Sequence, residues 1–402
     1  MKNISRFFTL YWIIYFPTCI AYNDLPGFSS VDEAMTVLLF VYTLWMYSNN
    51  RSINRRPWKE FTVCIGLIAF YTVYSLLFGA NVAGGVWLDL MQEIRPYAII
   101  YCTWILNPRF TKKQKKWMLG TMVLTLFSWI LYHPATFESQ NAEFPVLGQL
   151  AICTGMSWYL FTKETKRNRN IALLLVLTGM LAPKFKFMGE VVCFIGFVYF
   201  VKNRLNFKSP KTIIYAVLLV TVILMVTWTR FDAYYVSGLS NDELARPITY
   251  KTSLRILWDY LPFGSGMGSF ACNGAWKFYS PLYYKYNLNG IWGLNEGGGF
   301  ICDAYYPTLA QFGIVGVFFF CWFWKRRLVA FNQIVDMRYY RVAMLTFCCL
   351  AIEQTADSSW LSGKGMGYCM LIALCLNANR NAMEQRRREE MRKEMLETHK
   401  NR

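Results

Sequence analysis

The chain has 402 residues, 55% of them hydrophobic, and a formal net charge of +18. That composition is too apolar for one soluble domain of this length. The basic balance needs no nucleic-acid partner, because its distribution along the chain accounts for it.

Apolar stretches of bilayer-spanning length recur from one end to the other. About 20 apolar residues cross roughly 30 Å of hydrocarbon, and Phe61–Leu77, Thr212–Trp228 and Tyr305–Trp324 are the clearest such runs. The predicted spans in chain order are 7–21, 34–48, 61–79, 95–107, 117–132, 146–162, 171–183, 187–201, 212–229, 304–324, 342–356 and 365–379. The expected fold class is therefore all-α: a polytopic integral membrane protein of about 12 helices. The first span has no small-residue cleavage site after it and reads as an uncleaved anchor.

With the N-terminus placed in the cytoplasm, 32 of the 42 Lys and Arg residues fall in the N-terminal segment, the alternate loops and the C-terminal tail. This is the positive-inside pattern, so both termini are expected inside. Ten cations escape it: Arg95, Lys184, Lys186, Arg230, Arg246, Lys251, Arg255, Lys277, Lys285 and Lys364. They lie in outward loops or at outer helix ends, where chemistry is sought.

The organisation that follows is a membrane domain over 1–229, a large outer loop over 230–303, a second membrane segment over 304–380, and a charged cytoplasmic tail over 381–402. Long loops are uncommon unless functional or disordered, and WKFYSPLYYKYNLNGIWGLNEGGGF is too aromatic for a disordered linker. The loop is expected to fold on the membrane surface with short helices of its own. One is legible: Leu254, Trp258 and Leu261 form a stripe at helical period, Arg255 and Asp259 sit four apart, and Pro262 and Gly264 end the helix. Among the 12 cysteines, Cys272 and Cys302 share the loop and can pair in an oxidising compartment. His133 and His399 fall on opposite sides of the membrane.

LPFGSGMGSF follows that helix, with glycines at 264, 266 and 268. A dinucleotide fingerprint is rejected, since Ser269 stands where its third Gly belongs and the context is an outer membrane loop. Gly264 and Gly268 have the spacing of a helix-packing pair, but Pro262, Ser265 and Ser269 speak against a lipid-buried helix. A substrate-side turn beside cations is the reading that the topology favours.

SLRILWDYLPFGSGMGSF, followed about thirty residues later by DAYYPTLAQFGIVG, resembles the signature of the O-antigen polymerase/ligase family of integral membrane proteins. Arg255, Trp258, Pro262, Gly264, Gly266, Gly268, Phe270, Asp303, Gly313 and Gly316 carry the resemblance. KFKFMGE at 184–190 is similar to the family's short basic motif, with Lys186 where Arg is common. Asp303 stands where ligases carry His, which leans towards a polymerase.

The resemblance implies transfer of glycan from an undecaprenyl diphosphate-linked oligosaccharide onto an acceptor sugar hydroxyl at the outer face of the inner membrane, with no metal and no cofactor. Membrane lipid and a chain-length regulator are the other expected partners. The leaving diphosphate needs fixed cations, and Arg binds phosphate oxygens bidentately. Arg255, Arg246, Arg95 and Lys186 are the candidates. Asp303 is the candidate base, with Glu296 as runner-up; Asp303 also reads as a helix N-cap. Gly264, Gly266 and Gly268 are expected to bring backbone close to the carrier diphosphate or the first sugar. Trp276, Tyr283, Tyr284, Tyr286 and Trp292 are available as sugar platforms. The alternatives are a ligase of the same family or a lipid-linked oligosaccharide flippase; against the latter, no internal repeat is visible.

Overall fold

Apolar runs broken by polar, cation-bearing connections fold as fifteen α-helices, and no strand occurs among the described residues. The computed structural model describes residues 2–24, 30–49, 53–132, 145–181, 184–206, 208–241 and 243–400. His133 lies outside them. The helices are α1 (Lys2–Asp24), α2 (Val31–Asn49), α3 (Trp58–Phe78), α4 (Ala83–Leu106), α5 (Lys112–Tyr132), α6 (Pro145–Phe161), α7 (Lys166–Leu177) and α8 (Phe185–Ile195). They continue with α9 (Pro210–Phe231), α10 (Ala245–Asp259), α11 (Asn273–Lys277), α12 (Pro281–Lys285), α13 (Gly313–Asn332), α14 (Met337–Glu353) and α15 (Met366–Lys400). A 3-10 segment, Tyr306–Phe312, leads into α13, and a π segment, Asp232–Val236, prolongs α9.

The start of α15 forms the centre of the bundle. Tyr368 to Ala373 are buried on every side, as suits a helix that is apolar all round. It packs on α4 and α14, while α4 also takes α2 and α3. By contrast, α9 is apolar all round yet lies outside, with Ile214, Leu218 and Met225 exposed. An apolar helix with no protein on its outer face suits hydrocarbon rather than water.

Each of the twelve predicted spans coincides with a helix, but the expected number of membrane crossings is not reached. Among the described residues, three helical stretches are long and apolar enough to span a bilayer: Trp58–Phe78, Pro210–Val236 and Tyr306–Asn332. The others fall short for physical reasons. The helices α7 and α8 have only 12 and 11 residues. The helix α4 begins at Ala83, well before the predicted 95, and carries Asp89, Glu93 and Arg95 along its length. Arg95 is satisfied by protein partners rather than by lipid, pairing with Asp32 at 2.7 Å and Glu33 at 2.5 Å.

The cation-rich connections gather at one end. The Asn54 N–H bonds the Ile105 carbonyl at 2.8 Å, Arg338 reaches the Thr162 carbonyl at 2.9 Å, and Arg341 the Val201 carbonyl at 2.8 Å. At the other end, the Ala80 N–H bonds the Ser265 carbonyl at 2.8 Å, and Tyr235 donates to the Thr355 carbonyl at 2.7 Å. The long loop over 230–303 folds there, with α10, α11 and α12 around its own core of Ile256, Phe270, Leu282, Tyr283, Leu294 and Ile301.

Candidate functional site

The three glycines of the opening turn all have positive φ, at 82°, 91° and 74°. That backbone region suits Gly because it lacks a Cβ. The backbone they approach, however, is the protein's own. A Cβ on Gly264 would strike the Gly313 nitrogen and the Gln311 carbonyl; on Gly266 it would lie 2.9 Å from Gly79 Cα; on Gly268, 2.5 Å from the Gly85 carbonyl carbon. Hydrogen bonds complete the joint. The Gly266 N–H donates to the Gln311 carbonyl at 2.9 Å, and the Gly268 N–H donates to Asp89 at 3.0 Å. Gln311 Nε2 donates to the same Asp89 oxygen at 2.6 Å. Residues 264–270 are buried, so the expected substrate-side turn is a seat that fixes the long loop on α3, α4 and α13.

The charged groups converge elsewhere on the same end of the bundle. Arg246 lies in the first turn of α10, whose buried face (Thr249, Ser253 and Ile256) presses on the protein. Tyr250 holds that helix down by donating to the Thr355 carbonyl at 2.9 Å. Arg246 Nε and Nη2 both reach Asp303 Oδ2 at 2.5 Å, and its guanidinium lies over the Tyr234 ring at 4.3 Å. Asp303 is fixed in turn by its neighbours. Ser358 donates to the Cys302 carbonyl at 2.8 Å, and the Tyr305 N–H donates to the Gln354 carbonyl at 3.1 Å. Asp303 does not cap the following helix, whose N-cap position is Tyr305.

A second group adjoins this pair. Lys186, at the start of α8, bridges Glu353 at 2.6 Å and Asp357 at 2.8 Å, and Lys364 stands 3.6 Å from Asp357. Burial pushes the Asp303 carboxyl above its ordinary range, and Arg246 opposes that rise. Burial acts on Asp357 in the same sense, but Lys186 and Lys364 outweigh it and hold that carboxyl well below the ordinary range. Two carboxylates at one end of the molecule are thus driven in opposite directions, one fitted to accept a proton and the other to stay charged.

Of the residues singled out in the sequence, Arg246, Lys186 and Asp303 come together. Arg255 does not join them: it is exposed on α10, and Asp259, its expected partner, instead accepts the Tyr286 hydroxyl at 2.6 Å. Arg95 is buried in its ion pairs with Asp32 and Glu33 and also bonds the Leu361 carbonyl, so its guanidinium is committed within the protein. Glu296 is exposed on the far part of the outer loop. Trp276, Tyr284 and Trp292 are exposed, whereas Tyr283 is buried in the loop core. Cys272 and Cys302 are both free thiols, with Cys272 buried. The apolar stripe of α10 (Leu254, Trp258 and Leu261) faces outward.

Sequence reasoning missed Glu353, Asp357 and the position of Lys364. The available signal was the polar break EQTADSSWLSGKG between two apolar runs. It also missed Asp89 and Glu93, four apart and buried on α4. No protein-family model matches the chain, and no curated protein matches it significantly.

Proposed function

We propose that the chain is a polytopic glycosyltransferase of the bacterial inner membrane, with both termini cytoplasmic: a polysaccharide polymerase acting on O-antigen, capsule or exopolysaccharide repeat units. In this reading the helices around the three long apolar ones complete the membrane domain. The observation that carries it is Asp303 held by Arg246 beside Lys186, Asp357 and Lys364, at the end opposite the cation-rich loops.

In the proposed reaction those groups take the following roles. An acceptor sugar hydroxyl attacks the anomeric carbon of the donor glycan, and its proton passes to the Asp303 carboxylate. The bond from that carbon to the undecaprenyl diphosphate oxygen breaks, and the diphosphate leaves with the electron pair. Arg246 and Lys364, together with Lys184, supply positive charge where the leaving group becomes more negative, a contribution of the kind that dominates many active sites. Asp357 keeps Lys186 fixed. The exposed stripe of α10 and the aromatic loop suit the level of lipid headgroups, where Trp and Tyr accumulate.

The test is transfer in proteoliposomes with lipid-linked repeat units. Wild-type protein should release undecaprenyl diphosphate and lengthen the glycan, and Asp303→Asn should do neither while inserting normally. Normal chain lengths from Asp303→Asn would remove the base. In cells, loss of the protein should leave carrier-linked single units on the outer face; their absence from that face would mark a flippase instead.

A further inference from the structure

A charged concavity lies at the cation-rich end. It is an open cavity of about 1140 Å³ between the first turn of α3, the ends of α4 and α13, and the middle of α15. Five of its lining side chains are cations: Arg56, Lys325, Arg326, Arg327 and Arg380. Its two acids are already shared. Glu60 takes both Arg326 and Arg327, and Glu384 takes Arg380 together with Arg109. Arg56 and Lys325 are exposed and make no ion pair among the described residues.

Arg327 lies on the inner wall and is 1% exposed. Its guanidinium packs over the rings of Trp104 at 4.8 Å, Phe323 at 5.3 Å and Tyr101 at 5.4 Å. Glu60 occupies Nη2, but Nε and Nη1 have no hydrogen-bond partner among the described residues. Buried donors are ordinarily paired, and an excess of cations around unpaired donors calls for an anion. The walls also contain Val329, Leu376 and Met383. The cavity therefore offers a polar head site and apolar surface beside it. Moreover, α13 changes from apolar to Lys325–Arg326–Arg327 at this level, as a helix does where it meets headgroups. Basic recesses between membrane helices on the cytoplasmic side are suited to anionic lipid.

We propose that this cavity binds the phosphate of an anionic phospholipid headgroup, with Arg327 as the buried ligand and Arg56 and Lys325 as rim contacts. The site is separate from the outer cluster and stands whether or not the chain is a polymerase.

Native mass spectrometry of the delipidated full chain in detergent tests it, with phosphatidylglycerol, phosphatidylcholine and pyrophosphate as separate additions. One phosphatidylglycerol should be retained in preference to phosphatidylcholine. The double variant Arg56→Gln, Lys325→Gln should bind it about 30-fold more weakly, at about 1 kcal/mol per cation near the surface, with unchanged melting in the absence of lipid. Arg327→Lys, which keeps the charge but loses the fork, should also weaken binding. Equal retention of both lipids, or phosphatidylglycerol binding indifferent to the double variant, would overturn the proposal. Pyrophosphate bound as tightly as phosphatidylglycerol, and weakened by the same variant, would uphold the phosphate site and overturn the lipid source.

Discussion

Lys186→Met removes the cation that two acidic side chains share. Nζ lies 2.6 Å from Glu353 and 2.8 Å from Asp357, and the side chains of Lys186 and Glu353 are only 10% and 2% exposed. Removing one member of a buried ion pair costs about 3–5 kcal/mol, because the remaining charge is left uncompensated. The structure apportions that cost. Asp357 retains Lys364 at 3.6 Å, whereas Glu353 retains the Ser359 hydroxyl at 3.1 Å and the neighbouring Glu190 carboxyl, neither of them a cation, so most of the penalty falls at Glu353. The double variant Lys186→Met, Glu353→Met should recover most of the loss, since an apolar pair in place of a buried ion pair is often nearly neutral.

Thermal unfolding of the detergent-purified protein, followed by tryptophan fluorescence and repeated across pH, reads the effect. In the wild type the Asp357 carboxyl is held low, so its stabilisation is present above the unfolded-state value and is lost as pH falls through the folded one. Lys186→Met removes one of the two cations that hold the Asp357 carboxyl low, so the deficit should be largest near neutral pH and shrink on acidification. A variant as stable as wild type to within about 0.5 kcal/mol, the range of ordinary surface changes, with a parallel pH dependence, would refute the buried bridge.

Three further outcomes are expected. Gly268→Val places side-chain atoms against the Gly85 backbone at a positive φ, so folded protein should be lost from the membrane; normal abundance in a membrane-fraction blot would contradict the joint. Arg255→Ala alters an exposed side chain and should shift stability by less than about 0.5 kcal/mol. It should also leave glycan transfer largely intact, whereas Arg246→Ala should slow it sharply without abolishing it. Arg246→Gln deletes the cation that opposes the rise of the Asp303 carboxyl; the carboxyl then rises further, and the acid limb of the transfer rate should move to higher pH. An unmoved limb would detach Asp303 from the proton transfer.

The helices were legible because lipid-length apolar runs and cation-bearing breaks alternate clearly, and each predicted span coincides with a helix. Among the described residues, only three of those helices are long and apolar enough to cross a bilayer by themselves, and hydropathy does not distinguish a helix buried by protein from one bathed in lipid. The start of α15 is buried all round by neighbours, while α9, similarly apolar, is exposed. In the site, Arg246, Lys186 and Asp303 could be picked out as cations and a carboxylate that topology left unexplained. The partners of Lys186, Glu353 and Asp357, stand 167 and 171 residues from it in sequence, and no local pattern announces which distant carboxylate a lysine will meet. The glycines carried a true signal of close approach, but a sequence does not name what is approached. Asp89, Gln311 and Gly85 supplied the answer, from three separate stretches of the chain.

The glycine joint restricts how the long loop can move. Where main chain rests on main chain, no rotamer change can absorb a displacement. Swinging the whole loop as a lid would break the Gly266–Gln311, Gly268–Asp89 and Ala80–Ser265 bonds at once. The middle of the loop is therefore a rivet. Opening at Asp303 is left to α10, which is fastened near Arg246 by the Asp303 bridge and the Tyr250 hydroxyl and carries its exposed Leu254 and Trp258 at its far side. A ligand that competes for Arg246 would loosen that fastening, so arrival of the anion and release of the carboxylate would be a single event.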